Sequence, residues 1–169
     1  MDRKIMFPTL FLSLFMFFSC TKEFPVNQQE EEEHFLPSVP QTLVNHFLAF
    51  KEEARNRNIN IDYTSLGITA EIISLNQENV AGVCSTNNRG LRHIIIDLDF
   101  WNRAPFYHRE MIVFHELGHC VLGRGHREDA FSNGICQSIM RSGNGGCRDA
   151  YRADTRDYFL DELFNKEFL

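Results

Sequence analysis

Phe114-His115-Glu116-Leu117-Gly118-His119-Cys120-Val121-Leu122-Gly123-Arg124-Gly125-His126 is the stretch of this 169-residue chain whose residue types and spacing together specify a chemistry. On an α-helix each residue advances about 100° and 1.5 Å, so His115 and His119 share a face and can reach one metal ion. Glu116 lies about 100° round from His115, poorly placed as a third ligand but able to touch a water on the metal. It is the candidate general base. A straight helix would carry residue 126 roughly 10 Å further along the axis than residue 119, so the chain has to reverse. Gly123 and Gly125 allow that, because glycine takes the left-handed conformation that ends helices without a side-chain clash. Three histidines with a fourth position left for water are the donor set of a catalytic zinc site rather than a structural one.

These residues resemble the signature of the metzincin clan of zinc peptidases, His-Glu-x-x-His-x-x-Gly-x-x-His followed by a methionine in a tight turn. Here the glycine and the last histidine each come one residue late, giving a divergent variant. The Gly-x-x-His unit is intact at Gly123 and His126, and Ser138-Ile139-Met140 resembles the methionine turn. The resemblance implies an α+β fold: an N-terminal helix, a twisted, mostly antiparallel or mixed sheet, the active-site helix, the methionine turn and a C-terminal helix. It implies a zinc-dependent endopeptidase with one catalytic Zn2+ on His115, His119 and His126, Glu116 as base and Met140 beneath the metal. It also implies that one sheet edge pairs with extended peptide, and that residues 141–150 wall the pocket for the side chain just beyond the scissile bond. Aspartate replaces the last histidine in some relatives, so Asp129, or its neighbour Glu128, stands as the alternative third ligand. Some metzincins use a tyrosine two residues past the methionine. Ser142 stands there, and Tyr151 is a weaker candidate.

Around this stretch the chain reads in three parts. Arg3 and Lys4 precede an apolar run over residues 5–18, the length of a signal-peptide core and short for a membrane span. Ser19-Cys20 resembles the cleavage box of bacterial lipoproteins, in which the cysteine carries the lipid; ordinary secretion is the competing outcome. Residues 1–19 are thus expected as a signal peptide and 20–38 as a lipidated acidic tether, with the run Glu30-Glu31-Glu32-Glu33 and Pro25 and Pro37 opposing regular structure. Residues 39–169 are expected to form the zinc peptidase domain that the resemblance implies. The expected location is the cell envelope, lipid-anchored at the outer membrane or cell surface, and the expected partners are that membrane and a peptide or protein substrate. Net charge is −6 and no basic stripe appears, which argues against nucleic acid.

Helical spacing of Leu43, Val44, Phe47, Leu48 and Phe50 predicts a packing helix from residue 38 or 40 to 58. His46 within it has no partner at ligand spacing and reads as structural. Strands are predicted over 69–75, 80–86 and 91–98, the last two joined as a hairpin by Asn87-Asn88-Arg89-Gly90. In the third, Ile94, Ile96 and Leu98 share a face opposite His93, Ile95 and Asp97. Pro105 marks the start of the active-site helix over 106–122, with Val113, Leu117 and Cys120 on the side away from the metal. His108 lies about 10 Å before His115, too far to share its ion. Segment 131–149 reads as loop, and a Cys136–Cys147 bridge would hold the methionine turn. Cys84 and Cys120 then either pair or stay as buried thiols. Tyr158, Phe159, Leu163 and Phe164 predict a closing helix. Two rival functions remain: a zinc-stabilised surface protein that binds peptide without cutting it, and a metal-free structural envelope protein.

Overall fold

The computed structural model describes residues 36, 38–143 and 148–169. The expected signal peptide, the lipidation site Cys20, most of the tether and Cys147 lie outside the described residues. Helix α1 (Gln41–Asn56) starts directly after Pro40, whose fixed φ suits a helix entry, and it buries Leu43, Val44, Phe47 and Phe50. Asn58 takes a φ of 60°, so the helix stops two residues before the expected end. A short helix, α2 (Tyr63–Leu66), was not legible as an element. Asp62 caps it by accepting from the amides of Thr64 and Ser65, and the Tyr63 hydroxyl donates to the Phe47 carbonyl at 2.7 Å.

Strands β1 (Thr69–Ile73), β2 (Gly82–Thr86) and β3 (Arg92–Asp97) form a mixed sheet in the order β1-β3-β2. The β2–β3 pair is the expected hairpin, Gly82 facing Ile96 and Thr86 facing Arg92. Its turn is closed by the Asn87 side chain, which accepts from the amides of Arg89 and Leu91. β1 runs parallel to β3, Thr69 facing His93. Ile94 and Ile96 are buried as expected, but Leu98 is not their third partner. The Asp97 carboxylate accepts from Phe100 N at 2.8 Å and caps helix α3 (Leu98–Arg103), so the chain turns helical where continued strand was expected. The same carboxylate accepts from Leu75 N at 3.0 Å, which takes that amide out of the ladder and shortens β1.

Helix α4 (Phe106–Cys120) follows Pro105 and packs on α1 and on β2 and β3, with Phe50 meeting Phe114 edge-on at 5.1 Å. Val113, Phe114 and Leu117 are fully buried. Met111 and Ile112, on the histidine side, are buried too, so the helix is enclosed on more than its expected back face. A disulfide joins Cys84 of β2 to Cys120 at the end of α4, which decides between the two expected states of those cysteines. Cys136 is also disulfide-bonded, while Cys147, its expected partner, lies outside the described residues.

Helix α5 (Arg156–Leu163) and a 3-10 turn (Lys166–Phe168) close the chain. Phe159, Leu163 and Phe164 are buried as expected, whereas Tyr158 is exposed and donates from its hydroxyl to Gln137 O. Buried charge links α1, α4 and α5: Arg156 forks onto Glu110 at 2.7 and 3.2 Å and reaches Glu53 at 2.6 Å. Tyr151 is buried and donates to the same Glu110 at 2.7 Å, which commits its hydroxyl to this network rather than to the expected catalytic assistance. The helices and sheet together make a mixed arrangement compatible with the α+β class.

Candidate metal centre

One turn of α4 separates His115 from His119, and the helix ends directly after them. Gly123, at φ 69°, reverses the chain, and the Arg124 amide donates back to the Gly118 carbonyl at 2.9 Å. Gly125 does not take the left-handed conformation, so Gly123 makes the turn. The reversal ends α4 two residues earlier than expected and returns His126 to the two helical histidines. His119 Nε2 lies 3.1 Å from His115 Nε2 and 3.2 Å from His126 Nε2.

The other ring nitrogens explain why these atoms suit a cation. His115 Nδ1 donates to the Ile139 carbonyl and His119 Nδ1 to the Arg124 carbonyl, each at 2.6 Å. A carbonyl only accepts, so each neutral ring carries its one proton on Nδ1 and presents a bare lone pair at Nε2. Burial keeps both rings neutral, pushing the pKa of His115 down to about 4 and lowering that of His119. Neither Nε2 can then donate to the other. Lone pairs converging at this distance repel each other, and a cation between them converts the repulsion into attraction. The ligand atoms of His115, His119 and His126 lie within 4.8 Å of one another, close enough to hold one metal ion.

Neither acid after His126 joins them. Asp129 takes the Arg127 guanidinium at 2.8 Å, and Glu128 accepts from Ser142 N at 3.0 Å, so His126 completes the trio. His46 packs against the rings of Trp101 and Phe106, and His108 faces Asp149 at 3.9 Å, both outside the cluster as expected.

Ser138-Ile139-Met140 holds the cluster from one side. Ser138 Oγ accepts from Met140 N, the Ile139 carbonyl orients His115, and the Met140 carbonyl accepts from Arg127 N one residue past His126. The Met140 side chain is fully buried against Gly118, where an added Cβ would stand 2.6 Å from its Sδ. Glu116 points to β2 and lines one cavity of about 210 Å³ with His115 and His126. It approaches Gly82 so closely that a Cβ there would lie 2.8 Å from its Cγ and Oε1. Burial pushes the Glu116 pKa up to about 8, against a hydrogen bond with the Cys84 backbone that lowers it.

Arg124 was not legible as a site residue. Its carbonyl orients His119, while its buried guanidinium donates to the carbonyls of Glu162 and Leu163 and to Glu162 Oε1. The reversal that delivers His126 is thereby clamped to the end of α5. Its partner is 38 residues away, and no local pattern in the sequence pairs them. No family model, curated protein or solved structure matches the chain.

Proposed function

We propose that the chain is a zinc-dependent endopeptidase resembling the metzincins, with Glu116 as general base. The observation that carries this reading is the convergence of three imidazole nitrogens, two with their tautomer fixed by backbone carbonyls, beside a cavity lined by His115, His126 and the buried Glu116 carboxyl. Nitrogens bound to tetrahedral zinc at about 2.0–2.1 Å lie about 3.3–3.4 Å apart. The separations of 3.1 and 3.2 Å around His119 are close to that. His115, His119 and His126 would hold the ion, and a three-nitrogen set leaves a position for reactants. When bound, zinc supplies Lewis acidity, which acidifies water and polarises a carbonyl.

The remaining work falls to the chain. Burial favours the protonated form of Glu116, and a cation held by the adjacent histidines would restore its carboxylate, which takes the proton of the attacking water on an Oε and passes it to the leaving amine. The carbonyls of Ile139 and Arg124 hold two imidazoles in the ligating tautomer. β2 is an edge of the sheet, its Gly82 lies against Glu116, and an extended substrate would add to that edge by main-chain hydrogen bonds. The proposal includes export and lipid anchoring at Cys20, which would place the enzyme at the cell envelope, on the outer membrane or cell surface.

Glu116→Gln is expected to retain zinc and to cut peptides at least about a hundredfold more slowly. Cleavage equal to that of the parent would remove Glu116 from the mechanism. A zinc-loaded chain that binds peptides from a broad library and cuts none of them would favour the binding-protein reading.

A further inference from the structure

We infer that the cavity beside the three histidines selects a carboxylate, so that the residue following the scissile bond in the substrate is aspartate or glutamate. The inference rests on the peptidase reading and concerns the arginines of the same cavity. Its apolar lining includes Met111, Ile112 and Ile139, and its arginines are Arg141 and Arg148. Among the described residues Glu116 is the one carboxylate that lines it, and its proposed task is proton transfer.

The two arginines differ in how their charge is answered. Arg141 has Glu128 at 3.6 Å. Arg148 has no ion pair and no hydrogen bond among the described residues, and its Nε is buried without an acceptor. Its guanidinium lies over the Phe100 ring at 5.4 Å, which fixes the group but accepts no hydrogen bond in its plane. Asp149, the next residue, faces His108 instead. A second cavity of about 500 Å³ shares Arg148 and is lined by three carboxylates. Of these, Asp97 is engaged by the amides of Leu75 and Phe100, and neither Glu78 nor Asp99 pairs with Arg148.

An N–H buried without an acceptor, as at Arg148 Nε, is costly, and the group that fits a guanidinium best is a carboxylate, which can take two parallel N–H donors. Met111, Ile112 and Ile139 offer surface for the methylene groups of an acidic side chain. Arg141 adds a second positive charge to the same space. A lysine or arginine side chain of the substrate would meet two like charges there, and a neutral one would leave Arg148 unanswered.

The test compares peptides that differ only in having Glu or Gln after the cleaved bond, with the zinc-loaded chain, Arg148→Gln and Arg148→Lys, whose melting temperatures report folding. The expected Glu-over-Gln ratio in kcat/KM is roughly ten- to hundredfold in the parent, near one in Arg148→Gln and intermediate in Arg148→Lys. A parent ratio near one, or a ratio unchanged in Arg148→Gln, would overturn the assignment and leave the peptidase reading standing. A ratio that follows a free C-terminal carboxylate, measured with matched acid and amide ends, would also overturn the side-chain assignment. If no peptide is cut, the peptidase reading fails by itself, and calorimetry with N-acetylglutamate amide and N-acetylglutamine amide decides. Selective binding of the first, lost in Arg148→Gln, supports the carboxylate site. Equal binding of both, or binding kept by the variant as for direct contact with the metal, overturns it.

Discussion

Replacing Arg124 with methionine would unfasten the reversal that delivers His126 from the C-terminal helix. Methionine keeps much of the aliphatic volume, so the loss is mainly electrostatic. The guanidinium, with a side chain only 3% exposed, gives up bonds of 2.9 and 2.6 Å to the carbonyls of Glu162 and Leu163 and one of 2.6 Å to Glu162 Oε1. Glu162 is left buried with Arg127 at 2.9 Å as its remaining cation. Breaking a buried ion pair from one side costs about 3–5 kcal/mol, and the surviving Arg127 contact sets the expectation at about 3 kcal/mol. For a domain of this size that corresponds to a fall in melting temperature on the order of 10 °C. Urea titration in chelator reads the stability without the metal. Zinc affinity, measured separately, should weaken roughly tenfold, because the Arg124 carbonyl orients His119. A stability loss under about 1 kcal/mol, with zinc affinity unchanged, would refute the clamp.

Three further outcomes are expected. Cys84→Ser combined with Cys120→Ala opens a link across 36 residues and should cost about 3–4 kcal/mol in the same titration; a loss under about 1 kcal/mol would mean the bridge constrains little. Burial lowers the pKa of His46, with Glu110 raising it and Arg109 lowering it, so the folded state takes up the proton at a lower pH than the unfolded chain, which does so near about 6.5. The stabilising share of His46 is therefore complete above that pH and is lost as pH falls through the folded value. His46→Phe should be less sensitive to acid than the parent in chelator, and parallel stability curves between pH 7.5 and 5 would contradict this. Gly118→Ala adds a methyl group 2.6 Å from Met140 Sδ. Overpacking of about 1–3 kcal/mol should outweigh the roughly 1 kcal/mol that alanine gains in a helix, and a stabilised variant would show that Met140 moves freely.

Much of the histidine cluster was legible because its geometry is local. The i, i+4 histidines, the left-handed Gly123 and the returning His126 span few residues, and helix periodicity fixes their relation. The β2–β3 hairpin was legible for the same reason, since Asn87 and Gly90 close it by short-range bonds. The choice of His126 over Asp129 needed the fold, because Arg127 occupies Asp129 two residues away and composition does not show which carboxylate an arginine takes. The Arg124–Glu162 clamp and the Glu53–Arg156–Glu110–Tyr151 network join residues far apart in sequence, where hydrophobic period carries no signal. The short helix α3 was missed because one side chain, Asp97, ends a strand and caps a helix at once.

Zinc analysis of the purified chain with zinc-edge X-ray absorption tests the centre most directly. The expected result is one zinc per chain, with three imidazole nitrogens at about 2.0–2.1 Å and one oxygen donor, and loss of that shell in His126→Ala. A chain that purifies without zinc and fails to take it up, or a first shell containing sulfur, would contradict the proposed hydrolase.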